Sequence, residues 1–168
     1  LELIKNNQNN DEFYYLASEI YYAIGDLDND MDLEVVFSGY SSGNMIYALN
    51  PDGSAVDGFP IDLGEKVKIG VALADFNGNG KDDIVVGTDD NHVYLFYDDG
   101  TEAPGFPFVT GDKVQAAPSI LDVDGEKIIL AGCNDNTFYA INADGSERFS
   151  VATTNKVFNS SAFLEHNG

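Results

Sequence analysis

Asp26-Leu27-Asp28-Asn29-Asp30-Met31-Asp32-Leu33-Glu34 and Asp75-Phe76-Asn77-Gly78-Asn79-Gly80-Lys81-Asp82-Asp83 are one loop written twice. Each sets an oxygen-bearing side chain at positions 1, 3, 5 and 9, then runs into an apolar stretch, Val35-Val36-Phe37 or Ile84-Val85-Val86. Alternation of this kind wraps carboxylates and amides around one hard cation. Calcium, which takes six to eight oxygens in a flexible geometry, is the natural candidate. A third copy starts at Asp122, so the first aspartates Asp26, Asp75 and Asp122 are 49 and 47 residues apart.

Other features keep that register. Tyr47, Tyr94 and Tyr139 each lie six residues before a turn glycine, Gly53, Gly100 or Gly145. Asp-Gly between apolar runs is a tight hairpin signal, because Gly adopts φ > 0 at no steric cost. Gly58-Phe59-Pro60 and Gly105-Phe106-Pro107 follow at matched positions. A period in the high forties with four strand-like pieces per period marks a β-propeller blade. The expected architecture is an all-β propeller segment with complete four-stranded blades at 19–66, 67–113 and 114–156, and partial blades at 1–18 and 157–168.

In the second unit the strands are expected at Ile69–Ala74, Ile84–Val86, Val93–Tyr97 and Phe106–Thr110. The unbroken apolar run Ile84–Val86 implies burial on both faces. Pro107 suits an edge strand, where a missing N–H does little harm. Phe13-Tyr14-Tyr15-Leu16 reads as an outer strand and Asn6–Asn10 as a loop. Val157–Leu164 repeats the start of a blade, and Glu165-His166-Asn167-Gly168 resembles the opening of a fourth loop. So short a ring would expose unpaired edges. The remaining blades are therefore expected from flanking chain or from another polypeptide.

Composition narrows the function. The 168 residues are 43% hydrophobic and carry nine Tyr and eleven Phe, enough for a packed core. Twenty-nine carboxylates against eight Lys and Arg give a formal charge of −21, which repels nucleic acid and anionic lipid. No apolar run reaches membrane-spanning length. Nothing at the start resembles a signal peptide and the first residue is Leu1, which reads as a fragment whose targeting information lies elsewhere. The lone Cys133 excludes a disulfide framework and is expected as a small buried thiol.

The two loops resemble the D-x-[DN]-x-[DN]-G-x-x-D calcium loops of FG-GAP/VCBS repeats, the blades of integrin-α-like propellers, and Ala117-Pro118-Ser119 echoes the repeat's name. The resemblance implies side-chain ligands at positions 1, 3, 5 and 9 and a backbone carbonyl at position 7. Carried over, the first site is Asp26, Asp28, Asp30, the Asp32 carbonyl and Glu34. The second is Asp75, Asn77, Asn79, the Lys81 carbonyl and Asp83. The first loop holds four carboxylate ligands and the second only two, so the first is expected to bind more tightly. Met31 replaces Gly80 at the sharp turn, at a cost of about 1–2 kcal/mol, which the two extra anions outweigh. The third copy is two residues shorter and puts Ile128 where the closing carboxylate belongs, so no metal is expected there.

Catalysis has little support. There is no G-x-S-x-G elbow, no Cys–His pair and no zinc ligand set. His92 and His166 read as exposed loop residues, and Asp89-Asp90 and Asp98-Asp99 as hairpin turns rather than a glycosidase pair. The expected role is a calcium-stabilised structural or interaction module of a larger secreted or cell-surface protein, meeting a protein or glycan through its loops. The alternative is a carbohydrate-binding or accessory propeller of a secreted polysaccharide-degrading enzyme or peptidase. In that case Tyr14, Tyr15, Tyr21 and Tyr22 are candidates for stacking on sugar rings.

Overall fold

The computed structural model describes residues 21–39 and 44–160. Twelve strands follow one another, and there is no helix among the described residues. The first sheet is β1 (Tyr22–Gly25), β2 (Glu34–Ser38), β3 (Met45–Leu49) and β4 (Ile61–Asp62). The second is β5 (Ala72–Ala74), β6 (Asp83–Gly87), β7 (His92–Phe96) and β8 (Phe108–Val109). The third is β9 (Ser119–Val123), β10 (Glu126–Gly132), β11 (Thr137–Asn142) and β12 (Glu147–Ala152). Each sheet is an antiparallel meander in which sequence neighbours pair. The chain is all-β, built from three four-stranded propeller blades.

Alternation along the strands shows why they stack. In β6, Ile84 and Val86 join the apolar cluster shared with Val36, Ile46 and Ala48 of the first blade. Val85, between them, belongs to the cluster shared with Ile129, Ala131 and Ile141 of the third. β7 divides the same way, with Tyr94 and Phe96 on one side and Val93 and Leu95 on the other. The middle blade is thus buried on both faces, as its unbroken apolar run requires. Cys133 is fully buried in the second cluster.

Backbone bonds repeat between blades. The Asp89 and Asn134 amides donate to the Lys66 and Lys113 carbonyls at 2.8 and 2.9 Å. The Val114 and Val157 amides donate to the Thr88 and Cys133 carbonyls at 2.9 and 3.1 Å. At the outer ends, the glycine of each Gly-Phe-Pro segment lies against the Asp-Gly turn of the next blade. A Cβ on Gly58 would overlap the Asp99 carbonyl oxygen, and one on Gly105 the Asp144 carbonyl oxygen. Phe59 and Phe106 behind them are core residues.

Several strands differ from the sequence reading. β5 begins at Ala72 rather than Ile69, because Gly70 sits against Tyr21 and the chain there serves the inter-blade contact. β8 is two residues, since Gly105-Phe106-Pro107 is spent on the clasp. The third blade lacks such a segment, and β12 pairs with β11 over six residues instead. The expected outer strand at Phe13–Leu16, together with Tyr14, Tyr15 and His166, lies outside the described residues. His92 is not an exposed loop residue. It opens β7, half-buried, with Nδ1 2.7 Å from Glu65 Oε1, because Glu65 also accepts from Thr88 Oγ1 and Tyr94 Oη and draws the three side chains together.

Candidate metal centre

The first loop connects β1 to β2 and the second connects β5 to β6, so each spans the first hairpin of its blade. Most of their internal hydrogen bonds recur at matching positions. Asp26 Oδ1 accepts from the Asn29 amide at 2.6 Å and Asp75 Oδ1 from the Gly78 amide at 2.7 Å. Asp26 Oδ2 accepts from Met31 and Asp75 Oδ2 from Gly80. Asp30 Oδ1 accepts from the Asp32 amide and Asn79 Oδ1 from the Lys81 amide, both at 2.8 Å. At the base, the Leu27 amide donates to Glu34 Oε2 at 2.7 Å, as Phe76 does to Asp83 Oδ2 at 2.8 Å.

Two backbone positions in each loop turn left-handed: Asn29 and Met31 at φ 64° and 74°, Gly78 and Gly80 at 76° and 85°. Met31 therefore adopts the strained conformation that glycine takes in the other copy. It is 89% exposed, so burial returns little for that strain.

The loops part at the closing carboxylate. Asp83 Oδ1 accepts from the Asp98 amide at 3.0 Å, so both its oxygens have backbone donors. The matching residue of the first blade is Pro51, which has no N–H to give. Glu34 is fully buried, yet its Oε1 has no hydrogen-bond partner. Carboxylate oxygens of Asp26, Asp28 and Glu34 lie within 4.8 Å of one another. Burial, followed by the repulsion of Asp28, Asp30 and Asp26, pushes the Glu34 carboxyl above its ordinary range. Burial likewise pushes Asp83 up to about 6.

A buried anion with an idle oxygen beside two further carboxylates is a donor set waiting for a cation. All the available atoms are oxygens, which suits calcium rather than a softer metal. Asp30 and Asp32 are not in the close trio; they line an acidic cleft of about 300 Å3 with Asp28, Asn50, Pro51 and Asp52. In the second loop, Asp75, Asn77, Asn79 and Asp83 occupy the equivalent positions. There the Asn79 amide and Lys81 Nζ both bind Asp98, at 2.7 and 3.0 Å. The third copy is a two-residue turn through Asp124 and Gly125 at φ 55° and 87°, and Lys127 Nζ holds Asp122 at 2.7 Å.

Residues 26–86, from Asp26 of the first loop into β6, match the FG-GAP-like repeat family. That stretch is similar to an FG-GAP-like repeat. The matched stretch contains both acidic loops, together with β2 to β5 and most of β6. No curated protein matches the chain. Among solved structures, BBS1N in complex with ARL6DN aligns with a TM-score of 0.58 at 12% identity, over 80% of this chain and 40% of that one. BamB from Moraxella catarrhalis aligns with a TM-score of 0.56 at 16% identity, over 79% of this chain and 38% of that one. At these identities the likeness is one of fold, the propeller. The chain spans about two fifths of the length of those proteins.

Sequence reasoning passed over Asp82, Asp98 and Pro51. Asp98 stands in an Asp-Gly turn, where turn chemistry is sufficient reason for an acid. Its contrast with Pro51 carries meaning only once the turn is seen to lean on the metal loop.

Proposed function

We propose that this chain is a calcium-stabilised β-propeller segment, a structural or interaction module of a larger secreted or cell-surface protein with no catalysis of its own. One observation carries the reading: the fully buried Glu34 has an oxygen without a partner, beside Asp26 and Asp28. A cation there satisfies that oxygen, cancels the repulsion among three anions and pins β1 to β2. Extracellular calcium modules bind at about 0.1–1 mM, which fits calcium outside cells and supports that location. Calcium at about ten times such a dissociation constant contributes roughly 1.4 kcal/mol. For a chain of this size that raises Tm by about 3–6 °C. Melting in millimolar calcium against excess chelator tests the role; coincident curves contradict it.

The second site, at Asp75, Asn77, Asn79, the Lys81 carbonyl and Asp83, binds more weakly. Its closing carboxylate is already served by backbone donors, and Lys81 and Asn79 are tied to Asp98. Partners are a protein or glycan met through the loops, with further blades from flanking chain or another subunit, and neither nucleic acid nor inserted membrane. The placement of Tyr22 supports blade packing over sugar stacking. It pairs with Phe37 on the open face of the first sheet, where another blade of the stack belongs.

A further inference from the structure

The first metal loop is not self-contained. Its backbone is held by Asp82, a residue of the next blade that is not a ligand. The Asp82 amide donates to the Asp26 carbonyl at 2.8 Å, and the Asp26 amide donates to Asp82 Oδ2 at 3.2 Å. Asp26 is thus gripped on both sides of its Cα while its own carboxylate faces the loop interior.

The approach needs Gly25. A Cβ there would overlap Asp82 Oδ2 and lie 2.8 Å from Leu73 Cδ1. The corresponding residues before the first loop aspartate in the other blades are Ala74 and Leu121, so glycine appears only where a neighbouring carboxylate must come close. Asp82 is also specific to its blade. Its counterpart in the first loop is Leu33, 55% exposed, which cannot accept a hydrogen bond.

We propose that Asp82 is a positioning residue for the calcium site of the first loop, so that this site is completed by the second blade and metal binding locks the two blades together. The inference rests on the calcium reading above and concerns only the first site. A group that orients a metal ligand without touching the metal typically changes affinity by about 10–100-fold when removed.

The test is calcium calorimetry in an Asp75→Ala background, which disables the second loop so that heat reports the first alone. Adding Asp82→Ala is expected to weaken affinity at least about tenfold. Asp82→Asn keeps an acceptor for the Asp26 amide and is expected to recover most of that loss. Gly25→Ala, which expels the carboxylate by volume, is expected to match Asp82→Ala, and the pair together to be no worse than either. Affinity within twofold after Asp82→Ala overturns the positioning role and leaves the calcium site standing. Asp82→Asn as weak as Asp82→Ala shows a long-range charge effect and also overturns it. No calcium heat in the Asp75→Ala background, with wild type silent as well, overturns both this inference and the calcium reading.

Discussion

At the scale of single residues, the first loop carries backbone strain. Met31 is strained and exposed, so Met31→Gly is expected to stabilise the protein by about 1 kcal/mol, read as a higher urea midpoint with an unchanged slope. Glu34 is the sharper probe. Glu34→Gln removes a buried charge while its amide retains an acceptor for the Leu27 amide and gains donors for the neighbouring carboxylates. The variant is expected to melt above wild type in chelator and below it in calcium. Curves that do not cross contradict the assignment of Glu34 as a ligand. The candidate ligand positions are legible because every second residue of the loop bears oxygen. The orphaned Glu34 oxygen is not, since it arises from Pro51, 17 residues on, through a contact that only the folded blade makes.

At the scale of elements, turns and clasps hold the blades. In the hairpins Asp52, Asp99 and Asp144 each accept from a hydroxyl and an amide two residues on, and these bonds to Ser54, Thr101 and Ser146 hold their carboxyls below the usual range. A depressed pKa means stability that is present above the unfolded carboxylate value and lost as pH falls through the folded one. Replacing all three by Asn is therefore expected to flatten the acid side of the stability profile below about pH 4, measured by urea midpoint against pH. The clasps act by closeness. Gly105→Ala must displace the Asp144 carbonyl, so it should cost clearly more than the about 1–2 kcal/mol of a left-handed alanine at Gly64, where a Cβ meets nothing. Equal losses in chemical denaturation would show that the clasp is not tight. Gly-Phe-Pro was visible as a repeated motif and reads as blade packing, yet its target, the following turn, lies about forty residues away in sequence. Short-range pattern cannot reveal such a pairing. The same limit hid the shortening of β5 and β8, whose backbone serves inter-blade contacts instead of the sheet.

At the scale of the molecule, the repeat was the legible part, because period, turn chemistry and apolar alternation all agree on stacked four-stranded sheets. His92 escaped that reading because its neighbour Glu65 comes from the connector between blades. The account joins two tiers of cohesion: apolar faces shared by consecutive blades, and acidic loops at the first hairpins of two of them. In the proposed account, calcium fixes the first blade to itself and, through Asp82, to the second. Its central claim is that the first loop holds a calcium ion, and a crystal structure from millimolar calcium chloride tests it most directly. The account predicts an ion bound by Asp26, Asp28, Asp30 and Glu34, with Glu34 Oε1 among its ligands. Water alone in that position, with Glu34 Oε1 still unpaired, would contradict it.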